Sequence, residues 1–346
     1  MMQRLVLISA LAVSMSGWAK TAVAAEEKQA DAGKPAVEAV AYKIYTKWPF
    51  DAKEARRRQE ETAKTLEIPV TKVFEIGFKQ KLEFILIPPG EFMMGSPKSE
   101  LKRSDDETQH LVRITRPFYL QKTEFTQAAY VILRMRGNRF ARNDSRSVDW
   151  RHPVEQASWD DAHQRIIANL NQRGVGTFTL PSEAEWEYAC RAGSTTPFHL
   201  GESISNDTAN YNGYRVKENG RTFYHTGGQL PWAEGAGNKT FRQKPTPAGI
   251  FPANAFGLHD MHGNVWEWCQ DWYGEDYYVN SPKDDPTGPK TGSRRVARGG
   301  AWGISAVWDL RSASRKSFPQ DRRGSAGGYR LVLRTLKLPP KPGPEK

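Results

Sequence analysis

The chain reads as a loop-rich α+β domain of short strands and a few helices. Three observations predict that class. Strand-length apolar runs at 73–78, 82–87, 91–94, 112–114 and 118–121 are broken by turns such as Pro88-Pro89-Gly90. Three stretches at 126–135, 158–172 and 182–191 carry helix-start signals. The stretch 194–251 is rich in Gly, Asn, Thr and Pro and has little period, and a loop that long inside one domain is functional or held by ions.

Taken in order, residues 1–25 read as a secretory signal: Arg4 is the positive start, 5–15 an apolar run too short to span a bilayer, and 22–24 a small-residue cleavage site. The expected location is therefore periplasmic or secreted, with no membrane span after cleavage. Residues 26–41 are Ala-rich and charged and read as a flexible linker. A segment at 42–80 follows, holding a helix from a capping Asp51, with Glu54 three residues on, to Leu66. Its charged face predicts a surface position. The main domain is expected over 81–335, with a Pro-rich tail at 336–346.

Within that domain Thr126 caps a helix stopped at Gly137, Ser158 caps one stopped at Gly174, and Ser182 with Glu185 forms a capping box for one ended by Gly193. Short strands are expected near the Gly299-Gly300-Ala301-Trp302 turn and at 329–334.

The formal net charge of +11 comes from scattered Lys and Arg, with no long basic block beyond 56–58 and 322–323. Nucleic acid is therefore excluded as the expected partner, and the charge reads as solubility. Cys190 and Cys269 are the two cysteines. An exported location permits a disulfide between them, and two buried thiols fit equally. No nucleophile elbow, phosphate loop or Cys-x-x-Cys pair is present.

The most informative run is 263–273, where Trp266, Trp268 and Trp272 alternate with Glu267 and Asp271. Hard cations take six or more oxygens from carboxylates and carbonyls. Asp260, Gly263, Val265 and Glu267 offer such a set around a Gly-Asn turn, and a purely structural Glu267 fits the spacing as well. His259 and His262 lack a third ligand nearby and read as ordinary loop histidines; His110, His152 and His163 are well spread. Arg311, Arg315 and Arg330 read as guanidinium bridges that hold a low-regularity core.

Four motifs then fall in order: Ile87-Pro88-Pro89-Gly90-Glu91-Phe92-Met93-Met94-Gly95-Ser96, the 181–191 segment around Glu185-Trp186-Glu187, the 254–268 segment, and Arg298-Gly299-Gly300-Ala301-Trp302 with Arg311-Ser312-Ala313 and Gly328-Tyr329-Arg330. Together they resemble the formylglycine-generating enzyme (sulfatase-modifying factor) family over about Leu82 to Arg334. The resemblance implies a compact fold related to C-type lectins. It also implies structural calcium, with Asp260, Gly263, Val265 and Glu267 matching one site and Asn210 and Tyr211 part of a second.

Members of the family oxidise a substrate cysteine with molecular oxygen and a copper ion held by two cysteines just after the Gly-Gly-aromatic turn. Here that stretch is Trp302-Gly303-Ile304-Ser305-Ala306-Val307-Trp308-Asp309-Leu310, without cysteine. Soft Cu(I) binds thiolate, so copper is disfavoured; iron stays open. The family cysteine matching Cys190 can pair with one near the C-terminal strand, a place matched to Leu331.

The leading expectation is an exported binding or accessory protein whose groove, at Trp302, Ser305 and Trp308, holds a peptide, a glycan or a protein partner such as a secreted sulfatase. The alternative is an oxidoreductase using another metal centre, and a third reading is a sulfatase-activating oxidase. The oligomeric state is left open.

Overall fold

The computed structural model describes residues 42–134, 145–146, 148–212, 216–218, 221–223, 241–304 and 306–334. The leader, linker and tail predicted at 1–25, 26–41 and 336–346, and the helix stop at Gly137, lie outside the described residues. No described helix is long and apolar enough to cross a membrane.

Helix α1, Ala52–Leu66, starts where Asp51 accepts the Glu54 N–H at 2.8 Å. Glu54 does not close a capping box; its carboxylate binds Arg57 and Arg58 instead. The surface position expected for α1 holds, with Lys53, Arg56, Arg57, Glu60 and Lys64 exposed; its inner face is more polar than a docking face usually is. Arg58, Gln59 and Thr62 are buried together with Ala55, Ala63 and Leu66. Polar side chains line this docking face because they meet backbone carbonyls, which must themselves be satisfied. Gln59 Nε2 donates to Leu86 O at 2.9 Å and Phe256 O at 3.0 Å, and Arg58 to Lys47 O at 2.7 Å.

Strands β1, Thr71–Gly77, and β2, Gln80–Ile87, form an antiparallel hairpin. The boundary expected at 80/81 falls inside this hairpin, so the N-terminal segment is part of the main sheet. That sheet also takes β5, Phe118–Gln121, the short β6, Phe178–Thr179, and β13, Val332–Leu333, in the order β1-β2-β5-β13-β6. Strands β3, Gly90–Met94, and β4, His110–Ile114, pair separately.

Helix α2, Gln127–Leu133, has Thr126 as its cap. Helix α3 runs from Trp159–Asp161 through a π-helical turn, Ala162–Ile167, to Ala168–Gln172, and is opened by a Ser158/Asp161 capping box. Helix α4, Glu183–Arg191, carries the predicted Ser182/Glu185 box and ends at Ala192, in the left-handed region with φ 44°. In the irregular middle, β7, Val216–Glu218, pairs with β8, Arg221–Phe223.

The tryptophan run forms a strand, β9, Trp266–Trp272. It is central in a second sheet of order β11-β10-β9-β12, with β10 at Arg295–Arg298, β11 at Lys316–Phe318 and β12 at Gly327–Gly328. Period-2 geometry puts Trp266, Trp268, Gln270 and Trp272 on one face and Glu267, Cys269 and Asp271 on the other. Trp266 and Trp268 join an apolar cluster with Phe84, Tyr119 and Leu331. Cys269 joins one with Cys190, Trp186 and Val296. Arginines bridge the loops as predicted: Arg311 binds Glu107, Arg315 binds Glu183, and Arg330 binds Glu267.

Candidate functional site: a buried carboxylate cluster and an aromatic cleft

The turn leading into β9 is tightly folded. Asp260 and Asn264 adopt φ of 57° and 61°, a left-handed conformation that short polar side chains tolerate. Gly263 is required here, because a Cβ would lie 2.5 Å from Asn210 O. Asn264 knits the turn together: its Oδ1 accepts from Asn210 Nδ2 at 3.1 Å and Thr246 N at 2.9 Å, and its Nδ2 donates to Glu124 Oε1 at 2.9 Å. Asn210, expected at a second calcium site, is thereby bridged directly to Gly263. Tyr211 is buried, with its carbonyl accepting from Asn206 Nδ2 at 2.9 Å.

Glu267 is occupied by protein donors. Its Oε2 accepts from Trp186 Nε1 at 2.7 Å and Arg330 Nε at 2.6 Å, and its Oε1 accepts from Arg330 Nη2 at 2.6 Å. Such a bidentate, charge-assisted pair is among the strongest side-chain arrangements. Two other carboxylates nearby are differently placed. Asp260 accepts the Gly249 N–H through Oδ2, while its Oδ1 is buried with no partner. Glu124 Oε2 is likewise buried without a partner. Burial pushes both carboxyls up, Glu124 well above the usual range with the Asp260 charge adding to the rise, whereas a hydrogen bond from the Glu124 carboxyl pulls Asp260 partly back down.

Two enclosed acidic oxygens without a protein N–H donor fit a proton shared between the carboxyls, and they fit a hard cation as well. Asn210 Oδ1 is orphaned too. Glu124, Asp260 and Asn210 thus each keep an oxygen without a protein donor, while Glu267 of the expected calcium set is held by Arg330 and Trp186 and Val265 is fully buried. Glu124 was missed in the sequence because an acid just before a helix cap looks like a surface loop residue. Among the described residues no group of three or more His, Cys, Asp or Glu is arranged to hold a metal, so any such site depends on amide and carbonyl oxygens.

The histidines are structural. His262 Nδ1–H donates to Leu310 O at 2.7 Å, which leaves Nε2 to accept the His199 N–H at 3.1 Å. Burial holds its pKa well below normal and moves His199 down to about 4, so both stay neutral. His259 Nδ1 sits 2.7 Å from Phe251 O.

The cysteines are buried, unbonded and remote from any thiolate role. Burial pushes Cys190 up to about 12 and Cys269 well above its ordinary value. The residue facing Cys190 is Ser312, with Oγ 3.6 Å from Sγ. Leu331, matched to that place from the resemblance, instead packs in the other apolar cluster. The 312–314 carbonyls are clamped by Arg298, which fixes Ser312 against α4. Ser312→Cys is thus expected to form a disulfide with Cys190 under oxidising conditions and add about 2–4 kcal/mol of stability. Melting curves with and without reductant, together with a free-thiol count, check this; an unchanged curve with all three thiols free contradicts it.

Trp302 lines a cleft of about 460 Å³ with Trp266, Trp268, Ile304 and Phe318. Its indole N–H donates to Ser325 O at 3.1 Å, fixing the ring. Trp308 is not part of this cleft: it packs beside Phe198, Val307 and Leu310, with Lys102 Nζ 5.5 Å from its ring centre. Ser305 lies outside the described residues. Neither cysteine lines the cleft.

The model for the "Sulfatase-modifying factor enzyme 1-like domain" matches residues 69–335. The formylglycine-generating enzyme of Streptomyces coelicolor is 30% identical over 297 residues, covering 72% of this chain and 88% of that protein. The serine/threonine-protein kinase pkn1 of Chlamydia pneumoniae is 30% identical over 273 residues; the match takes 72% of this chain but only 38% of the kinase's length. Among solved structures, PvdO from Pseudomonas aeruginosa superposes with a TM-score of 0.60 at 28% identity, covering 76% of this chain and 97% of PvdO. Treponema denticola variable protein 1, at 21% identity and a TM-score of 0.56, shares the fold over 77% of this chain and 100% of its own. With this match spanning most of its length and the same α+β fold, the chain belongs to the sulfatase-modifying factor (formylglycine-generating enzyme) family.

Proposed function

We propose that this family member is an exported binding or accessory protein without thiol-oxidase activity, and that its ligand occupies the cleft at Trp302. One observation carries the reading. The stretch after the Gly299-Gly300 turn has no cysteine, and the two thiols elsewhere are buried and held protonated. A thiolate is the soft ligand that Cu(I) takes, and neither thiol reaches the cleft. What remains there is a fixed aromatic surface suited to holding a ligand.

We further propose that calcium, held by Asp260, Glu124 and Asn210, has a structural role. Its charge would compensate carboxylates that Arg330 alone leaves under-neutralised. The site would tie the strand preceding α2 to the turn entering β9.

Metal analysis of purified protein tests both parts. The expected content is calcium, with little copper or iron, and a melting temperature that a chelator lowers in the wild type and not in Asp260→Asn. Stoichiometric copper or iron would contradict the binding reading, and chelator-insensitive melting would contradict the calcium role.

A further inference from the structure

The cleft at Trp302 is charged as well as aromatic. Arg146, Arg322 and Arg323 stand among its lining residues, and among the described residues no carboxylate does. Arg322 lies over the Phe318 ring at 4.4 Å, and Arg323 is anchored by Asp161 at 2.7 Å. Arg146 and Arg322 are exposed, which leaves their guanidinium groups open to an incoming ligand.

A second observation concerns the indoles. Trp159, Trp186, Trp268 and Trp302 each donate their ring N–H to a protein acceptor. Trp266 lines the cleft and is only 6% exposed, yet among the described residues it has no acceptor. Its Nε1 is not among the enclosed atoms that lack a partner, so the N–H opens into the cleft as a donor that an incoming oxygen can take.

The backbone narrows the class of ligand. Along the 324–327 wall each carbonyl is already used: Gly324 O accepts from Gln156, Ser325 O from Trp302, Ala326 O from Trp266 and Gly327 O from Ala157. An extended peptide therefore finds no ladder of free carbonyls to pair with along this wall. Recognition falls to aromatic surface, one indole donor and guanidinium groups. Those suit a compact ring with an apolar face and an anionic substituent, and the volume admits one or two such rings.

Building on the binding reading, we propose that the cleft recognises a saccharide bearing carboxylate or sulfate. The anion pairs with Arg322 and Arg146, and a ring or carboxylate oxygen accepts from Trp266. A basic ligand is repelled by the same arginines.

Isothermal titration of the full chain against a galacturonic acid disaccharide, a sulfated heparin disaccharide and neutral cellobiose tests this. The charged sugars should bind at least about tenfold more tightly than cellobiose, since one lost charge-assisted contact is worth about a tenfold change. Which of the two binds more tightly identifies the source of the anion. Arg322→Glu and Arg146→Glu, both at exposed positions, should each weaken binding about tenfold or more while leaving the melting temperature unchanged. Equal affinity for cellobiose, no binding of either charged sugar, unaltered affinity in both variants, or binding of an acidic peptide alone would each overturn the proposal. Turnover of a thiol peptide would overturn the non-oxidase reading and leave the anion preference standing, so the two fail separately.

Discussion

Glu267→Gln is expected to destabilise the fold by about 3–5 kcal/mol, the cost of leaving a buried charge without its partner. Arg330 is fully buried and gives Glu267 two of its guanidinium donors; the remaining donors go to the carbonyls of Gln121, Lys122 and His259. The amide cannot accept bidentately from a cation, and Trp186 Nε1–H loses a charged acceptor as well. Urea unfolding followed by tryptophan fluorescence measures the loss. Arg330→Met should cost a similar amount, and the double variant less than the sum, because the two residues form one interaction. Arg330→Lys should not rescue, since an ammonium lacks the planar fork. Additive losses, or a loss below about 1 kcal/mol for the single variant, would show that the pair does not hold β9 to the C-terminal segment.

Arg298→Met is the second large effect, again about 3–5 kcal/mol. Arg298 is completely buried and pairs with Glu187 while donating to the carbonyls of Ser312, Ala313 and Ser314. Its side chain therefore ties α4 to the loop after the Gly299-Gly300 turn, and three carbonyls lose their donor when it is removed. Glu187 keeps Arg191 at 2.9 Å, so the variant is expected to fold but to melt earlier, with the 312–314 segment the first to exchange its amide protons. Hydrogen exchange that is no faster in that segment than elsewhere would contradict this.

Much of the fold was legible where the signal was local. Ser182 and Glu185 lie three residues apart and fix the start of α4 by their own hydrogen bonds, so its range emerged from the sequence. Strand β9 was not legible as a strand. It is buried on both faces over most of its length, so polar residues do not alternate with exposed positions as they do in a half-buried strand. Helix α1 is the surface helix expected, but its polar buried face was not legible, because the partners of Arg58 and Gln59 are carbonyls 11 to 197 residues away. The site divides the same way. Asp260 and Gly263 stood out from their short spacing, whereas the assignment of Glu267 depends on Arg330, 63 residues distant, and Glu124 enters through Asn264, 140 residues distant. Ser312 opposite Cys190 was missed because one-dimensional matching placed Leu331 there.

The absence of cysteine between Trp302 and Leu310 was visible at once, and the structure adds where the two remaining thiols lie: in the core, protonated and away from the cleft. The most direct measurement incubates the copper-supplemented protein in air with a sulfatase-type cysteine peptide and follows the peptide by mass spectrometry. The account predicts a peptide whose thiol and mass are unchanged. Appearance of the lighter aldehyde product, at a rate that depends on the protein, would contradict it.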